Sequence, residues 1–118
     1  MLSLSELVRI YVCLVPMDMR KGFDSLVAVV REGLGYDPLS GHLFVFRSRR
    51  GDRVKLLWWD RDGLTLYYRR LERGTFRFPT AQDPEVRSME ISSQELSLVL
   101  WGIDPASVKR QPRWQRPE

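Results

Sequence analysis

An α+β fold is predicted, with an antiparallel meander sheet of four to five strands, one main helix on a face and a short C-terminal helix. Three observations predict it. Between Gly41 and Pro79, apolar and aromatic runs of strand length are separated by turns rich in Gly and Asp. After Asp18, apolar residues recur at helical spacing in Phe23, Leu26, Val27 and Val30. Near the end, Ile91-Ser92-Ser93-Gln94-Glu95-Leu96 carries a capping box with its hydrophobic staple.

The first strand expected in chain order is Arg9–Val15, β-branched and aromatic without alternation, which suits a strand covered on both faces. Pro16 ends it. The helix follows, with Asp18 expected as its N-cap and Gly33 and Gly35 as its stop. That reading sets Arg20 and Lys21 in the first turn, where the helix dipole disfavours cations. An anion held at that terminus would account for them, and so would side chains that simply point to water.

The meander is expected over His42–Arg47, Val54–Trp59 and Leu64–Arg70, with a further short strand over Thr75–Phe78. Arg50-Gly51-Asp52 and Asp60-Arg61-Asp62-Gly63 supply the turns. Aromatic pairs at Trp58-Trp59 and Tyr67-Tyr68 place a ring on each face, so either both faces are covered or one is a binding surface. Thr80–Ser88 reads as a polar linker. In the final helix Ser92 is the N-cap, Gly102 closes the element, and Trp101 with Ile103 fastens it at an edge or end of the sheet. A single domain over residues 1–104 is expected, and residues 105–118 read as a basic, disordered tail.

The chain has 118 residues, 43% hydrophobic and 29% charged, as an ordinary globular protein does. A lone cysteine, Cys13, excludes a disulfide frame. The absence of a long apolar run and of a signal-like start makes a cytoplasmic protein without membrane contact the expectation. Net charge is +4, unevenly spread: −1 over residues 1–41, +6 over 42–79, −4 over 80–104 and +3 in the tail. Ten of the nineteen Lys and Arg residues lie between Gly41 and Pro79, against four acids.

Arg47, Arg49, Arg50, Arg53 and Lys55 crowd the first hairpin, while Arg69, Arg70 and Arg73 follow the third meander strand. A meander reverses twice between these clusters, so they are expected at the same end of the sheet. With Arg20 and Lys21 they form the candidate nucleic-acid-binding set, each cation able to neutralise a phosphate. Solvated strand faces absorb arginines equally well, so charge alone leaves both accounts open.

No catalytic constellation is expected. His42 is the only histidine and lies in an aromatic strand. Asp18, Asp60, Asp62 and Glu72 are the carboxylates that a metal-dependent nuclease would need to gather. Asp60 and Asp62 suit a turn, and Glu72 suits ion pairing with its arginine neighbours. Neither a metal nor a cofactor is expected.

Asp18-Met19-Arg20-Lys21-Gly22, then Gly41-His42-Leu43-Phe44-Val45-Phe46 and Arg70-Leu71-Glu72-Arg73-Gly74, form a series of separated motifs. Lys55–Asp60 with Gly63, and Phe76–Pro79, extend it. Together they resemble the TnpB accessory proteins (second open reading frame) of the insertion-sequence family numbered sixty-six, unrelated to the RNA-guided nucleases of the same name. The resemblance runs from about Arg9 to Ile103. It implies a bacterial accessory protein of transposition, with DNA recombination performed by a separate element-encoded transposase, and it marks Asp18, Met19, Arg20, Lys21, Gly22, Gly41, Phe44, Phe46, Leu71, Glu72 and Gly74 as family-motif positions. Met17 stands where the family usually has a hydroxyl residue, and Arg69-Arg70 where Lys-Arg is common. The resulting expectation is accessory, non-enzymatic DNA binding. The alternative is an adaptor docking on the transposase through Trp58, Trp59, Tyr67, Tyr68 and Trp101.

Overall fold

The computed structural model describes residues 7–101. Its elements are β1 (Ile10–Cys13), α1 (Phe23–Ala28) with a π-helical continuation (Val29–Leu34), β2 (Leu43–Arg47), β3 (Arg53–Asp60), β4 (Gly63–Arg70), β5 (Ser88–Ile91) and α2 (Ser93–Trp101). The five strands form one sheet in the order β4-β3-β2-β1-β5. The β2–β3–β4 meander is antiparallel as expected. β1 and β2, however, run parallel, with Ile10 opposite Leu43 and Val12 opposite Val45. α1 is the crossover that a parallel pair requires.

Alternation sorts the apolar side chains onto two faces. On one, Cys13, Phe44, Phe46 and Leu57 pack with Leu26 and Val30 of the first helix. On the other, Ile10, Val12, Leu43, Val45, Val54 and Leu56 pack with Leu96 and Val99 of α2 and with Phe76. Both faces are therefore covered, and α2 lies over the second face rather than at an edge or end. Trp101, expected as a fastener, is 52% exposed. Phe23, expected in the buried stripe, is 46% exposed because it opens the helix ahead of the covered turn.

Three further expectations are corrected. Asp18 does not cap α1, since Gly22 occupies that position. The Asp18 carboxylate instead accepts from the Arg20 backbone N–H at 2.8 Å, so this local turn competes with the helix for the same residue. Arg20 and Lys21 therefore precede the helix. Thr75–Phe78 is irregular, and its inward phenylalanine reflects packing of Phe76 rather than strand pairing. The fifth strand is instead Ser88–Ile91, antiparallel to β1, where Met89 and Ile91 face the α2 side.

The capping box forms as expected: Ser92 Oγ accepts from Glu95 N, and Glu95 Oε1 accepts from Ser92 N, both at 3.1 Å. Gly35 ends the first helical stretch at φ 76°, a left-handed conformation that glycine adopts without strain. Expectations for Gly102, Ile103 and the tail lie outside the described residues. Among the described residues no helix is long and apolar enough to cross a membrane.

Candidate nucleic-acid interface

The β2–β3 turn is built around Ser48, which is buried. Its hydroxyl donates to Asp52 Oδ1 at 3.2 Å and accepts from Arg53 N at 3.1 Å. Gly51 N donates to Ser48 O at 3.0 Å, closing a turn with Ser first and Gly fourth, the preference of a type I turn. Gly51 sits at φ 79°, and a Cβ there would lie 3.5 Å from Thr75 Cβ. The turn leaves Arg49 and Arg50 exposed.

Two other segments lean on this hairpin. The loop after β4 is fixed by Leu71 N donating to Asp52 O and Phe76 N donating to Gly51 O, both at 2.8 Å. The segment before α1 is fixed by Met17 N donating to Arg47 O at 2.9 Å. It is also fixed from below. Lys55, 5% exposed, donates from Nζ to Met19 O at 2.8 Å and to Lys21 O at 2.7 Å. The same ammonium lies 4.6 Å from the centroid of the Tyr68 ring, a cation–π contact.

The hairpin turn and the segment before α1 border an open cleft of about 360 Å³. Arg20, Arg49, Arg50 and Arg53 line it, with Asp18 and Asp52 between them and Met17 and Met19 as apolar wall. Asp18 holds Arg20 through a 2.7 Å ion pair. The Arg20 guanidinium, then its backbone N–H, hold the Asp18 carboxyl well below the ordinary range, at about 2. The meander register sets Arg53 opposite Arg70 and Val54 opposite Arg69, so both clusters share one end of the sheet, Arg70 on the face of Arg53 and Arg69 on the other.

The candidate cations differ in what they are free to do. Arg49, Arg50 and Arg73 are exposed and make no hydrogen bond or ion pair among the described residues. Arg53 donates to Tyr68 Oη at 3.3 Å, and Arg70 pairs with Glu72 at 3.0 Å. Arg47 is half-buried and donates to Leu14 O at 3.1 Å. Arg69 is half-buried, faces the α2 side and lies 3.5 Å from Leu100 O. The Lys21 side chain is half-exposed, whereas Lys55 is a buried internal tie. The structural roles of Ser48 and Lys55 escaped the sequence reading. The turn pattern Ser-Arg-Arg-Gly signalled the first, and the placement of Lys55 in phase with buried Leu57 signalled the second.

The remaining chemical groups do not converge. Asp60 and Asp62 sit at the β3–β4 turn, at the opposite end of that strand pair from Arg70 and its partner Glu72. Among the described residues no group of three or more His, Cys, Asp or Glu is placed to hold a metal ion. His42 precedes β2 and accepts at Nδ1 from Arg9 N at 2.9 Å, which places its ring proton on Nε2. Cys13 is buried, and desolvation raises its thiol pKa. Of the aromatic anchors, Trp58 and Tyr67 pack against the α2-side core, Trp59 is half-buried, and Tyr68 is 47% exposed.

Known proteins have sequences similar to this one. A family model described as "IS66 Orf2 like protein" matches residues 8–110. The chain is 40% identical over 112 residues to "Uncharacterized protein y4jC" of Sinorhizobium fredii (strain NBRC 101917 / NGR234), covering 95% of this chain and 93% of that protein. It is 43% identical over 104 residues to "Uncharacterized protein y4hO" of the same strain, covering 88% of each. No solved structure matches it.

Proposed function

We propose that this chain, which belongs to the IS66 Orf2-like protein family and is thus an accessory protein associated with an insertion sequence, acts by binding DNA without catalysing a reaction on it. The reading rests on one observation. Two exposed arginines with no acidic partner, Arg49 and Arg50, are held on a fixed turn beside Arg20 and Arg53, with Arg70 opposite Arg53 and Arg73 exposed on the loop that hydrogen-bonds to the turn. Preset cations on a rigid turn lose little freedom when they engage phosphate, and arginine's planar fork suits that partner.

Arg20 and Arg70 are drawn into binding by exchanging a carboxylate for a phosphate. Arg47, Arg69 and Lys55 already serve carbonyls within the fold and lie outside the proposed contact set. Four phosphate contacts, through Arg49, Arg50, Arg53 and Arg73, give a log–log salt slope of roughly −4, and six give roughly −5. The test is a gel shift or anisotropy titration across a salt series, on the element's terminal inverted repeats and on random duplex. Replacing Arg49 and Arg50 by alanine should weaken binding and flatten the slope by about 2. A wild-type slope near zero would remove the proposal.

The adaptor reading is favoured by Tyr68 and Trp101, which are 47% and 52% exposed. It predicts recovery of the element-encoded transposase with this protein in high salt and without nucleic acid. Loss of that recovery in Trp101→Ala, with DNA binding unchanged, would separate the two activities.

A further inference from the structure

β4 closes one side of the sheet. β3 pairs with one of its edges, and no described residue pairs with the other. The strand is eight residues long, about 27 Å at strand rise. The opposite edge strand, β5, has only four residues and carries the Arg9–Glu90 ion pair.

Edge strands that remain single are ordinarily blunted by a bulge, a proline or a charge near mid-strand. β4 has none of these. Its register against β3 runs unbroken from Arg70 opposite Arg53 to Gly63 opposite Asp60. Residues 64–68, Leu-Thr-Leu-Tyr-Tyr, carry no charge. Charge is confined to the ends, with Arg69 and Arg70, the latter paired with Glu72, at one and Asp60 and Asp62, around Arg61, at the other. A parallel neighbour of the same sequence would set like charge against like, whereas an antiparallel one sets Arg against Asp.

We propose that β4 pairs antiparallel with β4 of a second copy of this chain, joining two five-stranded sheets into one. The register follows from the pleat. A continuous sheet keeps each face on its own side, so residues opposite one another across the two-fold axis must both be even-numbered or both odd-numbered. Only registers centred on a residue satisfy this. Centring on Leu66 sets Leu64 opposite Tyr68, Thr65 opposite Tyr67, and Asp62 of the turn beside Arg70. Centring on Tyr67 instead sets Leu64 opposite Arg70 and forfeits the charge match. The Leu66 register also covers Tyr68, the most exposed ring of the strand at 47%. The two-fold axis then lies normal to the sheet, leaving both arginine clefts on the same side of the assembly.

Sedimentation velocity on the full chain over a concentration series tests the pairing. A monomer–dimer equilibrium is expected for the wild type. Asp62→Arg and Arg70→Asp should each weaken dimerisation at least tenfold, and the two together should restore it. Leu66→Cys should form a covalent dimer on oxidation faster than Tyr67→Cys, because only the former meets its own copy across the axis. Buried Cys13 does not compete. A wild-type monomer at the highest concentration reached would overturn the proposal. So would a dimer indifferent to both charge reversals, or faster cross-linking at position 67. An edge occupied only by some other protein, with the chain alone monomeric, counts against it equally.

Discussion

Lys55 offers the sharpest test of how the cleft is held. The residue is 5% exposed, and its ammonium donates to Met19 O and Lys21 O at 2.8 and 2.7 Å. Those carbonyls belong to an irregular segment, where backbone groups need partners from outside the local chain. Lys55→Met keeps most of the hydrocarbon stem and orphans both oxygens. Each orphaned part-buried carbonyl costs about 1–3 kcal/mol. Part of that loss is offset, because the variant no longer carries a desolvated ammonium. The net destabilisation expected is about 2–4 kcal/mol. With a urea slope of about 1–3 kcal/mol/M, the unfolding midpoint should fall by roughly 1–2 M. Hydrogen exchange should quicken at the amides of residues 19–23, the segment those bonds hold. The salt slope of DNA binding, measured on the folded variant, should not change, since Lys55 does not reach a surface phosphate. A variant as stable as wild type, with unaltered exchange, would refute the tie. A flattened salt slope would return Lys55 to the phosphate-binding set.

Three further outcomes follow from the same geometry. The Asp18 carboxyl, held at about 2 by Arg20, is ionised through the whole range above about 4, so its turn is complete there and loosens as pH falls toward 2. An NMR titration should show that midpoint, and Arg20→Ala should move it up toward about 3.9; an unmoved midpoint would contradict the assignment. Ser92→Ala removes the acceptor for Glu95 N and should cost about 1 kcal/mol, lowering Tm by about 4–8 °C in a calorimetric scan. A Tm within a degree of wild type would mean that the cap contributes nothing. Burial raises the pKa of the Cys13 thiol, so a disulfide reagent near pH 8 should modify it only at the rate of unfolding, and fast labelling of the native protein would contradict its placement.

The elements that could be read from sequence were those fixed by short-range rules. The capping box at Ser92 and Glu95 is a local exchange of two hydrogen bonds, and it forms as the residue types dictate. The meander follows from turn residues between strand-length runs. Misreadings arose where one local pattern serves two structures. Thr-Phe-Arg-Phe at positions 75–78 alternates like a strand, yet Phe76 packs into the core from an irregular loop anchored to Gly51 O. Ser-Met-Glu-Ile at positions 88–91 alternates too and does pair, but with a strand some seventy-five residues earlier. Period-two alternation reports a covered side and an open side, not the hydrogen-bonding neighbour. The parallel β1–β2 pair was implicit in a strand–helix–strand order, because a helix between them brings the chain back to the same end.

Charge presents the harder problem, because residues of one type have different destinations. Arg53 and Lys55 are two apart on β3 and share a face, and Arg53 reaches the cleft while Lys55 is sealed beneath residues 19–21. What separates them is distance from the strand end and the segment lying above, neither of which is encoded in the side chain itself. Arg47 and Arg69 are likewise committed to carbonyls of other segments. A count of cations therefore overstates the surface available to a polyanion. The proposed contact set is narrower: Arg49, Arg50 and Arg73, without acidic partners among the described residues, Arg20 and Arg70, each paired with one acid, and Arg53, which donates to Tyr68 Oη. The salt slope measures how many of these six engage phosphate, so a value much steeper than −5 would mean that other cations join them.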